Sequence, residues 1–445
     1  MENESLSNLL DVQTELFIPI ESHDRKYLKT LKSSTEWDEV DLYAKYQTYF
    51  SPAISSFLYK DTKWFHKQID QDAELNFAGY SKNEHDTQLL EIMVEKAEIV
   101  LFPQQAYLLL RLHTKGNIHD ITKFNSWITT IRSSQSNVYI RMKKTICTLF
   151  DYINLILNEL HFNVSSHVGK VFGYSLLKTT DSSLVNVQLN TYLPALKDFF
   201  ELDPSDSFIE SEHSDVLQRF QSRLQTFSLS GGMVVVDENI LFNQEFYGEY
   251  HHTIYRDIAL LALYQMDFLN NLALRLSDVR NLIYHRKQIL YLRMLFLEFT
   301  NKAWFSHISM RPYPQTLRDY WQKQLQIQKL YDDVTEQLDQ LTNFAQQDRS
   351  WWLTIGLGTL TLLSWPGLFI KNSIFNTWFP DIPYLSTILA IFLPVAIIIG
   401  VTWDRFRGIA FSFRYSISEF FSNRQKYKKG SKKLKKYFNR NNIDL

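Results

Sequence analysis

The chain has 445 residues, 45% of them apolar and 15% aromatic, enough for more than one domain and for a sizeable core. Its 47 Lys+Arg and 48 Asp+Glu nearly cancel, to a formal net charge of −1. A single cysteine, Cys147, excludes an intrachain disulfide and suits a reducing compartment.

Residues 1–17 are acidic, without a basic n-region or a long apolar stretch, and read as carrying no secretory signal. Residues 1–248 read as a cytosolic α/β domain. A strand-like run covers 12–20. Two more, 98–102 and 107–113, flank Pro103-Gln104-Gln105-Ala106 and predict a β-hairpin. Residues 146–160 put Leu149, Ile153, Ile156 and Leu160 on one helical face. Strands are expected at 168–177, 233–236 and 240–242, and loops at 203–207 and 228–232.

An acidic run holds Asp198, Glu201, Asp203, Asp206, Glu210, Glu212 and Asp215. Hard cations take carboxylate oxygens, so Asp203, Asp206, Glu210 and Glu212 are candidate divalent-cation ligands; the plainer reading is a solvated acidic loop. Glu36, Asp38, Glu39 and Asp41 admit the same two readings. His161, His167, His251 and His252 lack companions at metal spacing and read as satisfied or exposed histidines. No Walker loop, Gly-rich dinucleotide turn or His-Glu-x-x-His occurs. That argues against transport driven by nucleotide hydrolysis, and no enzymatic activity is expected.

Residues 249–350 read as a long helical stalk region. No Gly or Pro occurs from Glu249 to Arg311, and Ile258, Leu261, Leu269, Leu272 and Leu276 recur at helical spacing. This predicts a helical hairpin or one very long helix, broken at Arg311-Pro312-Tyr313-Pro314. A second helix is expected from near Thr316, running unbroken toward residue 351. Its seam of Ile327, Tyr331, Val334, Leu338, Leu341 and Ala345 alternates four and three. Such a seam packs either on the preceding hairpin of the same chain or in a ring of identical helices.

Residues 351–403 contain two apolar runs, 351–370 and 384–403, each twenty residues without a charge. A hydrocarbon core of about 30 Å needs roughly 20 helical residues, so a two-helix transmembrane hairpin is expected. The tail, 404–445, carries twelve Lys/Arg against three Asp/Glu. Positive residues near span ends stay inside, so a multi-pass protein of the cytoplasmic membrane is expected, with both termini cytoplasmic. Lys428, Lys429, Lys432, Lys433, Lys435 and Lys436 are expected to contact anionic lipid, and no nucleic-acid partner is expected.

Together these features resemble the CorA family of magnesium channels: a cytosolic α/β domain, long helices, and a stalk continuing into the first of two C-terminal spans. The stretch Lys96–Phe102 with Tyr107–His113 is similar to the family's strand pair. The stretch from Asp237 through Tyr255-Arg256-Asp257-Ile258 is similar to its passage into the long helices. Pro366 matches a mid-span proline, and Asn376 falls where the family's Gly-Met-Asn signature ends. The residues before Asn376 are Ile374-Phe375, so the signature itself is missing.

The resemblance implies a homopentamer around one pore, with Ile355, Thr359, Leu362 and Pro366 facing the lumen. Asn376 would meet the water shell of the ion, and Asp348 would ring the cytoplasmic entrance. It implies divalent cations, Mg-like, as cargo and as a regulator, with no covalently bound cofactor. The leading expectation is therefore a CorA-like channel for divalent cations. The alternative is a ligand-gated effector of an antiviral defence system, whose enlarged cytosolic domain binds a small signalling nucleotide. A third expectation is a non-conducting anchor that recruits partners.

Overall fold

The computed structural model describes residues 9–22, 27–68, 76–79, 92–114, 138–142, 145–165, 171–180, 216–229, 231–278, 286–305, 307–343 and 357. The chain divides into two units, 1–342 and 343–445.

The centre of the first unit is a mixed sheet. Its strands are β1 (Leu9–Ser22), β2 (Asp38–Glu39), β3 (Lys63–Gln68), β5 (Ile92–Leu101), β6 (Ala106–Thr114), β9 (Phe162–Val164), β10 (Phe172–Thr179), β11 (Val216–Phe220), β12 (Arg223–Phe227) and β13 (Gly231–Asp237). They lie in the order β11-β12-β13-β10-β1-β6-β5-β3-β2, with β9 on the end of β1. Only β10 and β13 run parallel among these pairs. The strands β4 (Asn76–Gly79), β7 (Val138–Met142) and β8 (Thr145–Thr148) form a separate three-stranded sheet.

Strand alternation sorts the large sheet into two apolar faces. Val12, Leu16, Ile18, Ile99, Leu108, Leu110 and Leu177 pack with helix α1 (Leu149–Asn158). Thr148 caps α1: Asp151 N donates to its Oγ1 at 3.0 Å, and its own N donates to Asp151 Oδ2 at 3.2 Å. Phe17, Trp64, Val100, Tyr107, Leu109, Tyr174 and Val234 face the other way. They meet α2 (Arg256–Ser277), α3 (Arg286–Ala303), α4 (Pro312–Gln324) and α5 (residues 327–343).

The expected β1 run and the hairpin around 103–106 are present; Phe102 N donates to Gln105 O at 2.9 Å. The expected strand at 168–177 is found at Phe172–Thr179. The strand expected at 240–242 is instead a bend entering a helix, and Gly231-Gly232, expected in a loop, lie in β13.

The expected architecture of long stalk helices leading into a transmembrane hairpin is corrected to an α+β fold on a mixed sheet. Among the described residues, no helix is long and apolar enough to cross a membrane. The runs 351–370 and 384–403 lie outside the described residues. The stalk is also not one rod. Helix α3 stops at Ala303, before any proline, because neighbours supply the partners its end lacks. Gln265 Nε2 donates to Ala303 O at 2.6 Å, Arg318 Nη2 to Phe305 O at 2.6 Å, and Ser51 N to Ile308 O at 2.7 Å. Pro312 then opens α4 instead of merely ending a helix. Between α4 and α5 the chain turns at Leu325-Gln326, where Gln326 takes φ 50°.

The heptad seam is used within the chain. Ile327, Val334 and Leu338 are buried in the core shared with α2 and α3. Tyr331 stacks on Trp304 at 4.2 Å and tilts against Phe296 at 5.2 Å. A narrow apolar seam on a polar helix has the same sequence signature whether its partner is a copy or the same chain, and at Ile327, Val334 and Leu338 the chain itself covers it.

Candidate functional site

The helix-covered face of the sheet is apolar at one end and charged at the other. On β1, Phe17 points into the core, while Glu15, Gln13 and Asp11 follow at period two along the same face. Neighbouring strands match this. Asp11 lies opposite Lys178, Glu15 opposite Arg111, Gln13 opposite His113, and His66 opposite Glu98. Each cross-strand pair sets opposite or complementary groups side by side. Asp11 Oδ2 is 2.9 Å from Lys178 Nζ, and Arg111 Nε donates to Glu15 Oε1 at 2.9 Å. His113 bridges two carboxylates, with Nε2 at 2.7 Å from Asp11 and Nδ1 at 2.9 Å from Glu95.

Above this floor runs the helical stretch leading into α2. It contains two wide turns, Asn243–Tyr247 and His251–Tyr255, with i→i+5 geometry. Such turns often occur at functional positions. His252 meets Glu15 Oε1 at 3.0 Å and also contacts Gln13. One turn on, Arg256 reaches three carboxylates: it donates from Nη1 to Glu98 and from Nε to Asp257 at 3.0 Å, and lies 3.7 Å from Glu15 Oε2. Asp257 accepts from Tyr59 OH at 2.7 Å. Glu15, Glu98, Arg256 and Asp257 are all buried.

Burial alone would raise the Glu98 carboxyl, but Arg256, His66 and Lys96 hold it well below the usual carboxylate range. Glu15 is likewise lowered, against burial, by Arg256 and Arg111. For Asp257 burial outweighs Arg256 and Tyr59 and pushes the group up to about 6. His113 is raised to about 9 by its bonds to Asp11 and Glu95. Burial lowers His252, and it lowers His251 further; the His251 ring stacks on Tyr174 at 4.2 Å and neither ring nitrogen has a hydrogen-bond partner.

Of these groups, Glu95, Glu98, Arg111, Lys178, His252 and Arg256 line a cleft of about 640 Å³. Its floor presents His66, Lys96, Glu98, Arg111, Lys178 and Gln13 from the sheet. Its walls are Asp41, Lys45 and Tyr46 on one side and Glu245, Glu249, His252 and Arg256 on the other. The volume is in the range of small-molecule sites, roughly 300–1,000 Å³. The lining balances five cations, Lys45, Lys96, Arg111, Lys178 and Arg256, against five carboxylates, Asp41, Glu95, Glu98, Glu245 and Glu249.

Most of the residues singled out in the sequence lie outside the described residues. Asp348, Ile355, Thr359, Leu362, Pro366 and Asn376 lie outside the described residues, as do Asp203, Asp206, Glu210, Glu212 and the lysines Lys428, Lys429, Lys432, Lys433, Lys435 and Lys436. Of the smaller acidic set, Glu39 pairs with Lys32 at 3.0 Å, Glu36 pairs with Lys67, and Asp41 accepts from Tyr43 N at 3.0 Å. Among the described residues, no group of three or more His, Cys, Asp or Glu could hold a metal ion. His251 and His252, expected to be satisfied or exposed, are both buried, and only His252 has partners. The cleft's own signal is a run of charged residues at alternate positions inside otherwise apolar strands.

A scan against family models, a search of curated proteins and a search of solved structures each found no match for this chain.

Proposed function

We propose that residues 9–342 form a ligand-binding module whose cleft takes a small nucleotide. The observation that supports this reading is the buried network of Glu15, Glu98, Arg256 and Asp257 under an open, polar cleft. Buried ion networks contribute little net stability compared with apolar packing, so their presence at a cleft points to binding. The cleft offers both cations and carboxylate acceptors, the two kinds of group that a nucleotide's phosphates and ribose use. Lys96, Arg111 and Lys178 on the floor can meet phosphate oxygens, and Asp41, Glu245 and Glu249 above can accept from ribose hydroxyls. The reading as a divalent-cation channel has no described residue to support it.

The test is thermal shift and calorimetric titration of the full chain with linear and cyclic nucleotides, with inorganic phosphate as the control. A nucleotide at 100 times its Kd would stabilise by about 2.7 kcal/mol. Lys96→Ala and Lys178→Ala should each weaken binding about tenfold, by loss of a charged contact. If no nucleotide gives a saturable shift, or if both variants bind unchanged, the reading fails.

A further inference from the structure

A second surface on the same helical stretch does not depend on the nucleotide reading. Phe220, at the end of β11, is 45% exposed; Phe242 and Phe246, from the first wide turn and its approach, are 41% and 48% exposed. The rings of Phe242 and Phe246 lie 5.9 Å apart. The Arg223 guanidinium lies beneath them, 4.1 Å from the Phe220 ring and 5.1 Å from the rings of both Phe242 and Tyr247. Its Nε is buried without a hydrogen-bond partner, and no carboxylate pairs with Arg223 among the described residues. A cation held in an aromatic cage, with an unused donor and exposed rings around it, lacks a carboxylate carried next to apolar side chains.

We propose that this surface docks the acidic stretch 201–215 of the chain itself. That stretch contains Glu201, Asp203, Asp206, Glu210, Glu212 and Asp215, with no Lys or Arg, and carries Phe208-Ile209 among the acids. It lies outside the described residues and ends one residue before Val216, where β11 begins; the other end of β11 is Phe220 of the cage. Five strand residues span about 17 Å and ten extended residues about 33 Å, so the acids can reach Arg223. A carboxylate would sit on the guanidinium, and Phe208 or Ile209 on Phe242 and Phe246.

The experiment places a photo-crosslinking phenylalanine analogue at the exposed position Phe246 of the full chain and identifies the joined peptide by mass spectrometry. A mixture of heavy- and light-isotope chains separates a link within one chain from a link to a second copy. The expected product joins position 246 to a peptide within 201–215 of the same chain; a link only to the second copy overturns the proposal. Its yield should fall about tenfold in Arg223→Glu, as for loss of a charge-assisted bond. The reversal Glu210→Arg/Glu212→Arg in the Arg223→Glu background should restore it. Circular dichroism and the melting temperature confirm that each variant is folded. Links to any other segment, to lipid, or to nothing, or a yield indifferent to Arg223, overturn the proposal.

Discussion

Replacing Arg256 by methionine tests whether the charged end of the sheet is held by this residue. Arg256 is 3% exposed and faces Glu98, Asp257 and Glu15 together. Methionine keeps much of the volume and none of the charge. Glu98 would keep His66 at 2.7 Å and Lys96 at 3.0 Å, and Glu15 would keep Arg111. Asp257 would keep the Tyr59 hydroxyl. Breaking a buried ion pair on one side costs about 3–5 kcal/mol; with partial compensation left, about 3 kcal/mol is expected at neutral pH. For a unit of this size that is a melting-temperature loss of roughly 4 °C. The pH dependence is the sharper reading. In the native chain Glu15 and Glu98 sit below the ordinary carboxylate range, so their contribution is present above about pH 4.5 and is lost as the pH falls. Without Arg256, burial raises these carboxyls, and the variant loses stability as the pH rises. The gap between the two proteins should widen from pH 5 to pH 8 and close toward pH 4. Differential scanning fluorimetry across that range measures it, and adding Asp257→Asn should recover part of the loss. A loss below about 1 kcal/mol at pH 7.5, or one that does not vary with pH, would falsify the account.

His113 gives a milder effect of opposite slope. Its folded value, raised to about 9, means that its contribution is fully present below about pH 6.5 and is lost as the pH rises through 9. Because its side chain is 31% exposed, solvent screening reduces the expected contribution to roughly 1–2 kcal/mol. His113→Gln should melt below the native protein at pH 6 and together with it at pH 10; parallel curves would count against the bridge. Gly232 is a packing test. A Cβ there would lie 2.6 Å from Trp321 and 2.8 Å from Phe227, so Gly232→Ala should cost about 1–3 kcal/mol. The loss should shrink when Trp321→Phe removes the nearer ring, and equal losses in both backgrounds would contradict the geometry.

What could be read from the sequence was what repeats locally. β1 and the β5–β6 hairpin follow from alternation and from a proline-bearing turn, and both occur where expected. The break after Ala303 could not be read this way, because no Gly or Pro marks it. It is set by Gln265 and Ser51, far away in sequence, and by Arg318 of the following helix. The seam at Ile327, Val334 and Leu338 was visible, but its partner was not, since heptad spacing records only that a stripe is covered. The cleft was hidden for the same reason. Glu15, Glu98, Arg111 and Arg256 sit on four elements, and each alone reads as one charge in an apolar run.

The two halves of one sheet face argue for a purpose at the charged end. Phe17 and Glu15 are successive same-face residues of β1, as are Val100 and Glu98 of β5, and Leu109 and Arg111 of β6. In each strand the apolar member packs under α2 and its neighbours, and the charged member comes one step further along. Nothing in the strand geometry prevents the apolar pattern from continuing, and buried apolar replacements of an ion network are often neutral or stabilising. The change of pattern occurs together in three adjacent strands, under the helical stretch that contains both wide turns. That stretch carries Glu245, Glu249, His252 and Arg256 toward the cleft and exposes Phe242 and Phe246 on another side. A ligand in the cleft and a segment on the aromatic surface would therefore press on one element from two sides. Any shift of that element on ligand binding would reach the Arg223 surface without passing through the rest of the core.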